Sequence, residues 1–88
     1  MAHILVVDDS STMREIVGSF LSKNGFEVTV ATDGRDGLAK LKQDPEIRLV
    51  LSDVNMPNMD GLTMAEKIRT ELGNTKVRIV MLTTEDSP

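Results

Sequence analysis

Four short apolar runs recur along the chain and predict four β-strands. Residues 4–7 and 49–51 are apolar at every position, which is typical of strands buried on both faces of a parallel sheet. Apolar and polar residues alternate over residues 26–31, so we expect this strand at an edge of the sheet. A fourth, largely apolar run covers residues 77–82 and leads into Thr83 and Thr84.

Apolar residues at helical spacing predict an amphipathic helix between the first two strands: Met13, Ile16, Val17, Phe20 and Leu21. We expect Ser11 or Thr12 to be its N-cap, because Thr12 and Glu15 have the spacing of a capping box. Asn24 and Gly25 end this helix.

Two further helices are predicted from their start and stop signals. The second begins at Asp33 and ends at Asp44, and Gly37 inside it makes it the weakest element. Asp60 can cap the third helix, which Gly73 closes. Its predicted inward-facing residues are Leu62, Ala65, Ile68 and Leu72.

The predicted order of elements is β-α-β-α-β-α-β within a single domain, residues 1–88. Right-handed crossovers between successive strands then give a three-layer α/β fold, with a parallel sheet and helices on both faces.

Composition excludes several classes of protein. The net charge of −4 and the lack of a basic cluster argue against nucleic-acid binding. No run is long enough to span a bilayer and no signal-peptide pattern is present, so we expect no membrane association. The absence of Cys excludes disulfides and thiolate metal sites and is compatible with a cytoplasmic protein.

Three carboxylates follow the two fully apolar strands: Asp8, Asp9 and Asp53. The carboxyl ends of adjacent parallel strands meet at one sheet edge, which is where ligands bind in open α/β sheets. Two such charges about 4 Å apart repel by roughly 4 kcal/mol at an effective dielectric constant of about 20, which favours a bound cation. Oxygen ligands without His or Cys suit Mg²⁺, and Mg²⁺ beside a free carboxylate suggests phosphoryl transfer. The alternative is that these acids only cap turns and helices.

Three segments together resemble the receiver domains of two-component response regulators, most closely the CheY-type chemotaxis regulators. They are residues 6–14 (VVDDSSTMR), 52–61 (SDVNMPNMDG) and 80–84 (VMLTT). The resemblance covers the whole chain in order. It implies a flavodoxin-like sheet with strand order 2-1-3-4 and a sensor histidine kinase as partner.

The resemblance also implies roles for the acidic residues. Asp53 would be the residue that the kinase phosphorylates. Asp9 and Asp53 would bind Mg²⁺ directly, Asn55 would add its backbone carbonyl, and Asp8 would hold a metal-bound water. The resemblance does not imply an enzyme, although receivers catalyse their own phosphoryl transfer and dephosphorylation.

Thr83 would be the switch hydroxyl that bonds the phosphoryl group, and Thr84 would flank access to the site. The family's fourth helix, fifth strand and fifth helix have no counterpart in residues 1–88. The lysine that pairs with the phosphoryl group and the aromatic switch residue belong to that fifth unit. Lys76 cannot replace the lysine because it begins the fourth strand, a strand length from Asp53. We therefore expect impaired switching.

The predicted fourth strand is apolar on both faces and would be a bare sheet edge, an arrangement that invites pairing with another chain. We therefore expect a homo-oligomer formed through this strand. As an alternative to signalling, the chain is a half-fold, natural or engineered, whose main property is self-association or completion by another chain. A third hypothesis is a small Mg²⁺-dependent phosphatase.

Residues outside the acidic group are interpreted as structural. His3 lies at the opposite end of the first strand from the acids and is predicted to be a surface residue. Arg14, Lys67 and Arg69 are predicted to be solvated charges on helix faces.

Overall fold

A computed structural model describes residues 2–82. The elements in chain order are β1 (His3–Val7), α1 (Ser11–Lys23), β2 (Glu27–Ala31), α2 (Gly34–Gln43), β3 (Ile47–Ser52), α3 (Gly61–Thr70) and β4 (Arg78–Met81). Every predicted element is present and in the predicted order. The two threonines expected to act in switching and access, Thr83 and Thr84, lie outside the described residues.

The four strands form one parallel sheet in the order β2-β1-β3-β4, as predicted. The alternating strand, β2, is an edge strand. The fully apolar strand β1 lies between β2 and β3, and its residues Ile4, Leu5, Val6 and Val7 are all buried. The hydrophobic pattern therefore distinguishes the central strand β1 from the edge strand β2.

The core fills the space between the sheet and the pair α2 and α3. Its buried members are Leu5, Val7, Ala31, Leu41, Ile47, Val50, Met64, Ile68 and Val77. Helix α1 packs on the other face of the sheet, over β1 and β2. The sheet thus separates a closed layer from a more open one.

Three oxygen-bearing side chains cap the helices. Asp33 and Asp60 cap α2 and α3 as predicted, by accepting hydrogen bonds from the amides of Asp36 and Thr63. The prediction for α1 was wrong: its N-cap is Ser10, whose Oγ accepts from the Met13 amide at 3.2 Å.

The N-cap of α1 lies one or two residues earlier than predicted, for a reason visible in the preceding turn. The Ser10 amide is already held by Asp8 Oδ1 at 2.9 Å, which ends the turn at Ser10. With Ser10 as the cap, Glu15 lies beyond the position that a capping box requires.

The inward face of α3 also differs from the prediction. Leu62 is 61% exposed, whereas Met64 and Ile68 are buried. Leu72 packs against the core but lies beyond the end of the helix at Thr70. The prediction placed the inward face on the side of Leu62, whereas the buried face of α3 follows Met64 and Ile68, which are one helical turn apart.

Gly37, expected to weaken α2, lies where α2 approaches its neighbours closely. A Cβ added there would lie 2.7 Å from Met64 Sδ and 3.2 Å from Val7 Cγ2. The missing side chain therefore allows α2 to contact both the sheet and α3.

His3 is not the surface residue that was predicted. Its side chain is only 12% exposed, Nδ1 lies 3.2 Å from Asp44 Oδ2, and Nε2 lies 2.7 Å from Thr29 Oγ1. These contacts connect the beginning of β1 to β2 and to the end of α2. The prediction failed because the distant chain segments that surround His3 are not visible in its local sequence.

Within residues 2–82, no helix has both the length and the apolar character that crossing a membrane requires.

Candidate functional site

The ends of β1 and β3 bring the predicted acids to one edge of the sheet. Val7 pairs with Ser52 in the parallel register, so Asp8 and Asp53 follow directly on neighbouring strands. The Asp53 amide donates to the Val7 carbonyl at 2.9 Å, and the Asp8 amide donates to the Ala31 carbonyl at 3.1 Å. Both aspartates are therefore anchored by sheet hydrogen bonds at the point where their strands end.

The three acids form a cluster. One carboxylate oxygen from each of Asp8, Asp9 and Asp53 lies within 4.8 Å of the other two. Asp8 and Asp53 are half-buried and Asp9 is exposed. This spacing brings three hard oxygen ligands close enough to share one small cation.

The surroundings of Asp8 disfavour its charge. Burial raises the pKa of its carboxyl group above the ordinary value, and the negative charges of Asp53 and Asp9 raise it further. The Ser10 amide and the Arg14 guanidinium act in the opposite direction but do not cancel the increase. A bound cation would favour the ionised carboxylate, so the cluster is better suited to a metal ion than to the free state.

Arg14 is not simply a solvated helix charge, and that prediction was wrong. Its Nη1 donates to the Asp8 carbonyl oxygen at 2.8 Å, which ties the first turn of α1 to the loop carrying Asp8 and Asp9. The position of Arg14 in the sequence could have indicated this contact, because a residue in the first turn of a helix lies beside the loop that precedes it.

Asp53 is held by its immediate neighbours. Its Oδ1 accepts from the Val54 amide at 2.8 Å, and its backbone carbonyl accepts from Ser52 Oγ at 2.7 Å. Gly61 packs directly against that carbonyl, leaving no room for a side chain. The position of the Asp53 backbone therefore depends on the start of α3.

The loop after Asp53 is fixed against the N-terminus of α2. Met59 accepts a hydrogen bond from the Gly34 amide at 3.0 Å, and Asn58 Nδ2 donates to Asp33 Oδ2 at 2.7 Å. Asn58 has a φ of 67°, in the left-handed region. Asn55 lies in this loop, two residues after Asp53, with an exposed side chain. The sequence alone did not indicate the contact between Asn58 and Asp33.

The chain is similar in sequence and in fold to known proteins. Residues 4–88 match the response regulator receiver domain. The chain is 41% identical over 83 residues to the chemotaxis protein CheY1 of Helicobacter pylori, an alignment that covers 93% of this chain and 67% of CheY1. The chain thus spans about two thirds of the length of that curated relative.

Solved structures agree with this assignment. The chemotaxis response regulator CheY4 of Vibrio cholerae has a TM-score of 0.90 and 42% identity, covering all of this chain and 72% of CheY4. The response regulator TrrA of Thermotoga maritima, in complex with Mg²⁺–BeF, has a TM-score of 0.88 and 34% identity, covering 98% of this chain and 72% of TrrA. The chain belongs to the response regulator receiver domain family and has the fold of its CheY-type members.

Proposed function

We propose that the chain is a phosphoacceptor receiver module of a CheY-like two-component system, working with a sensor histidine kinase in the cytoplasm. Asp53 accepts the phosphoryl group in this proposal, and Asp8, Asp9 and Asp53 hold the Mg²⁺ that the reaction requires. The observation that carries the proposal is the convergence of these three carboxylates within 4.8 Å. TrrA, whose structure holds Mg²⁺–BeF, supports the choice of metal.

Each residue of the acidic site has its own role in this proposal. Asp53 and Asp9 would bind the metal directly, Asp8 would hold a metal-bound water, and Asn55 would contribute its backbone carbonyl. When bound, Mg²⁺ supplies positive charge that neutralises the carboxylates and the phosphoryl oxygens.

In the transfer step, one bond to phosphorus replaces another. An Asp53 carboxylate oxygen attacks the phosphorus of a phosphohistidine, a new O–P bond forms, and the N–P bond breaks. The electron pair of that bond stays with the imidazole ring, which leaves as a neutral group because its other nitrogen has taken a proton from solvent. The hydrogen bond from the Val54 amide to Asp53 Oδ1 orients the nucleophilic carboxylate.

Switching after phosphorylation would use Thr83 as the hydroxyl donor and Thr84 at the entrance to the site. We propose that Lys76 does not act as the lysine that pairs with the phosphoryl group in the family. Lys76 precedes β4, whereas the acids follow the carboxyl ends of β1 and β3, so the length of the sheet separates them. A charge-assisted contact to the phosphoryl group is then missing from this part of the chain.

Incubation with acetyl phosphate and Mg²⁺, followed by mass spectrometry, tests the proposal. We expect the mass of one phosphoryl group on Asp53, dependent on Mg²⁺ and absent in Asp53→Asn. Glu46→Gln is the matched control, because Glu46 is an exposed acid at the opposite end of the sheet and should not affect the adduct. A folded protein without an adduct would contradict the proposal.

A second candidate function is association with a second copy or with another chain, and the observation that favours it is the open edge of β4. Within residues 2–82, β4 pairs only with β3. Light scattering across a concentration series measures self-association, and a monodisperse monomer would contradict the homo-oligomer expected from the sequence.

A further inference from the structure

An open cavity of about 540 Å³ lies at the amino end of the sheet, opposite the edge that carries the acidic cluster. Its lining combines one imidazole, three carboxylates and one guanidinium, together with Ala2: His3, Glu27, Asp44, Glu46 and Arg48. The chain has a single histidine, so this cavity holds the one imidazole that the protein can offer to a ligand. The proposed function assigns no role to these side chains.

The imidazole of His3 is held from two sides. Its Nε2 lies 2.7 Å from Thr29 Oγ1 on β2, and its Nδ1 lies 3.2 Å from Asp44 Oδ2 at the end of α2. When Nε2 carries the proton and donates to Thr29, the lone pair of Nδ1 faces a carboxylate oxygen, which is also an acceptor. Two acceptors this close need a positive centre between them. A proton on Nδ1 satisfies the pair, and so does a metal ion that takes its place.

The separation of Nδ1 and Oδ2 matches that of two ligands of one metal ion. Zinc binds imidazole nitrogen and carboxylate oxygen at about 2.0–2.2 Å, so neighbouring ligands of a tetrahedral zinc ion are about 3.3 Å apart at the shorter bond length. The observed 3.2 Å is close to that value. His3 and Asp44 therefore need little rearrangement to share an ion.

Hydrogen bonds to neighbouring groups orient both of these ligands. Thr29 Oγ1 can accept from Nε2 and leave Nδ1 as the ligand atom, and a metal-binding histidine almost always has such a partner for its other ring nitrogen. Asp44 Oδ1 accepts from the Glu46 amide at 2.9 Å, which leaves Oδ2 for the ion. Two ligand atoms are thus already aimed at one point.

A third ligand is available on the neighbouring strand. Glu27 of β2 pairs in register with His3 of β1, so the two side chains leave the sheet on the same face. Glu27 also lines the cavity and is exposed, so its carboxylate can turn toward the ion without displacing a buried group. Glu46 lines the same cavity and provides a further oxygen.

The charges around the cavity favour a cation. Asp44 is the C-cap of α2, and the carboxyl end of a helix carries partial negative charge. Three carboxylates line the cavity, and the Arg48 guanidinium opposes only one of them. Mg²⁺ prefers oxygen ligands alone, whereas Zn²⁺ accepts an imidazole together with carboxylates. The lining therefore selects for zinc over magnesium.

We infer that His3, Asp44 and Glu27 form a binding site for a divalent cation of the zinc class. The bound ion joins β1, β2 and the end of α2, three elements that are distant in sequence. The site differs in ligand chemistry from the acidic cluster, which offers oxygen atoms only. The inference is independent of the proposed function, because it uses none of the residues assigned to phosphorylation.

Titration of the 88-residue chain with zinc chloride, in excess magnesium chloride, tests the site. Nuclear magnetic resonance of the imidazole reports binding directly, because every histidine ring signal belongs to His3. We expect a saturable change of the Nδ1 resonance at one Zn²⁺ per chain, whereas Mg²⁺ alone leaves the ring signals unchanged. Asp53→Asn should bind Zn²⁺ as the wild type does, which separates this test from that of the proposed function.

Three variants locate the ligands, and calorimetry measures their zinc affinity. Asp44→Asn and Glu27→Gln should each weaken zinc binding at least about tenfold, because each replaces a charged oxygen ligand with a neutral amide. Thr29→Val keeps a β-branched residue in β2 but removes the partner of Nε2, so we expect a loss of about tenfold. Glu27 is exposed, so its variant tests the site even where a change at Asp44 impairs folding.

Glu66→Gln is the matched control, because Glu66 is an exposed glutamate on α3 that does not line the cavity. Its zinc affinity should equal that of the wild type, and circular dichroism checks that each variant is folded. Three results would overturn the inference. They are His3 ring signals that do not respond to Zn²⁺, equal affinities of folded Glu27→Gln and Glu66→Gln, and loss of zinc binding in Asp53→Asn.

Discussion

The carboxyl group of Asp8 has a pKa above its ordinary value, first because it is partly buried and then because Asp53 and Asp9 are nearby. Its ionised form is therefore disfavoured in the folded protein when no cation is present. Its Oδ1 nevertheless has a structural contact, with the Ser10 amide. Such a cluster lowers the stability of the metal-free protein but can bind a cation.

Asp8→Asn should stabilise the metal-free protein by roughly 1 kcal/mol after solvent screening, because it removes one of three neighbouring negative charges. The asparagine carbonyl can still accept from the Ser10 amide. Urea unfolding in the presence of a chelator measures the effect, and Glu46→Gln serves as a control far from the cluster. A less stable Asp8→Asn protein would contradict the electrostatic account.

The pH dependence has opposite signs at different acids. The raised pKa of Asp8 means that the folded state binds its proton more tightly, so this group favours folding increasingly as pH falls toward 3.8. The stability advantage of Asp8→Asn over the wild type should therefore shrink as pH falls from neutrality. Unfolding of the two proteins without metal at several pH values measures that difference, and a widening gap would contradict the prediction.

The carboxyl groups that cap α2 and α3 have the opposite effect on the pH dependence of stability from that of Asp8. Hydrogen bonds to Asn58 and to helix amides lower the pKa of Asp33, and the Thr63 amide lowers that of Asp60. These groups support folding above their ordinary value of 3.8 and lose that contribution as pH falls through their lower folded pKa. The stability that these two caps contribute to the wild type should therefore be lost only at pH values more acidic than those at which Asp8 takes up its proton.

At the scale of elements, the loop between β3 and α3 depends on contacts that its own sequence does not reveal. Asn58 adopts a left-handed conformation and bonds to Asp33 at the start of α2. The Pro/Asn/Asp/Gly composition correctly predicted a loop after Asp53. It did not predict where that loop docks, because the partner is 25 residues away in sequence.

Substitutions at Asn58 separate backbone from side-chain effects. Asn58→Ala should destabilise the fold by about 1–2 kcal/mol, because it removes the bond to Asp33 and because alanine tolerates a positive φ less well than asparagine does. Asn58→Gly removes the same bond but accepts the backbone, so it should cost about half as much. Urea unfolding compares them, and equal costs would show that backbone strain plays no part.

Two glycines provide a contrast at the element scale. Gly61→Ala should destabilise the fold by about 1–3 kcal/mol and shift Asp53, because a Cβ there meets the Asp53 carbonyl and Ser52 Oγ. Gly18→Ala, in the interior of α1 with only ordinary contacts near its Cβ position, should stabilise by about 0.5–1 kcal/mol. Unfolding measurements with acetyl phosphate labelling test both, and a stable, fully labelled Gly61→Ala protein would contradict the packing account.

The identity of each helix and strand could be predicted from the sequence, but the rotation of the helices against the sheet was harder to predict. Strand order, the edge position of β2 and two of three N-caps followed from periodicity, turn residues and family resemblance. The burial of Met64 in place of Leu62 and the capping of α1 by Ser10 did not. Each depends on where a helix settles against the sheet, and a rotation of a few tens of degrees exchanges one inward residue for another.

At the scale of the whole molecule, the described residues 2–82 place the buried core on the α2 and α3 side of the sheet. The acidic cluster lies at the carboxyl edge, where topology alone brings β1 and β3 together, so the sequence was sufficient to predict Asp8, Asp9 and Asp53 as a group. Arg14 and His3 were misjudged, because their contacts arise only when distant or preceding segments fold back on them.

Titration of the protein with Mg²⁺, followed by the backbone amide resonances, tests the acidic cluster directly. The account predicts saturable shifts confined to residues near Asp8, Asp9 and Asp53, consistent with one site. These shifts should disappear in Asp9→Asn and persist in Glu46→Gln. Shifts that are absent, or that are unchanged in Asp9→Asn, would contradict the claim that the ends of β1 and β3 form a magnesium site.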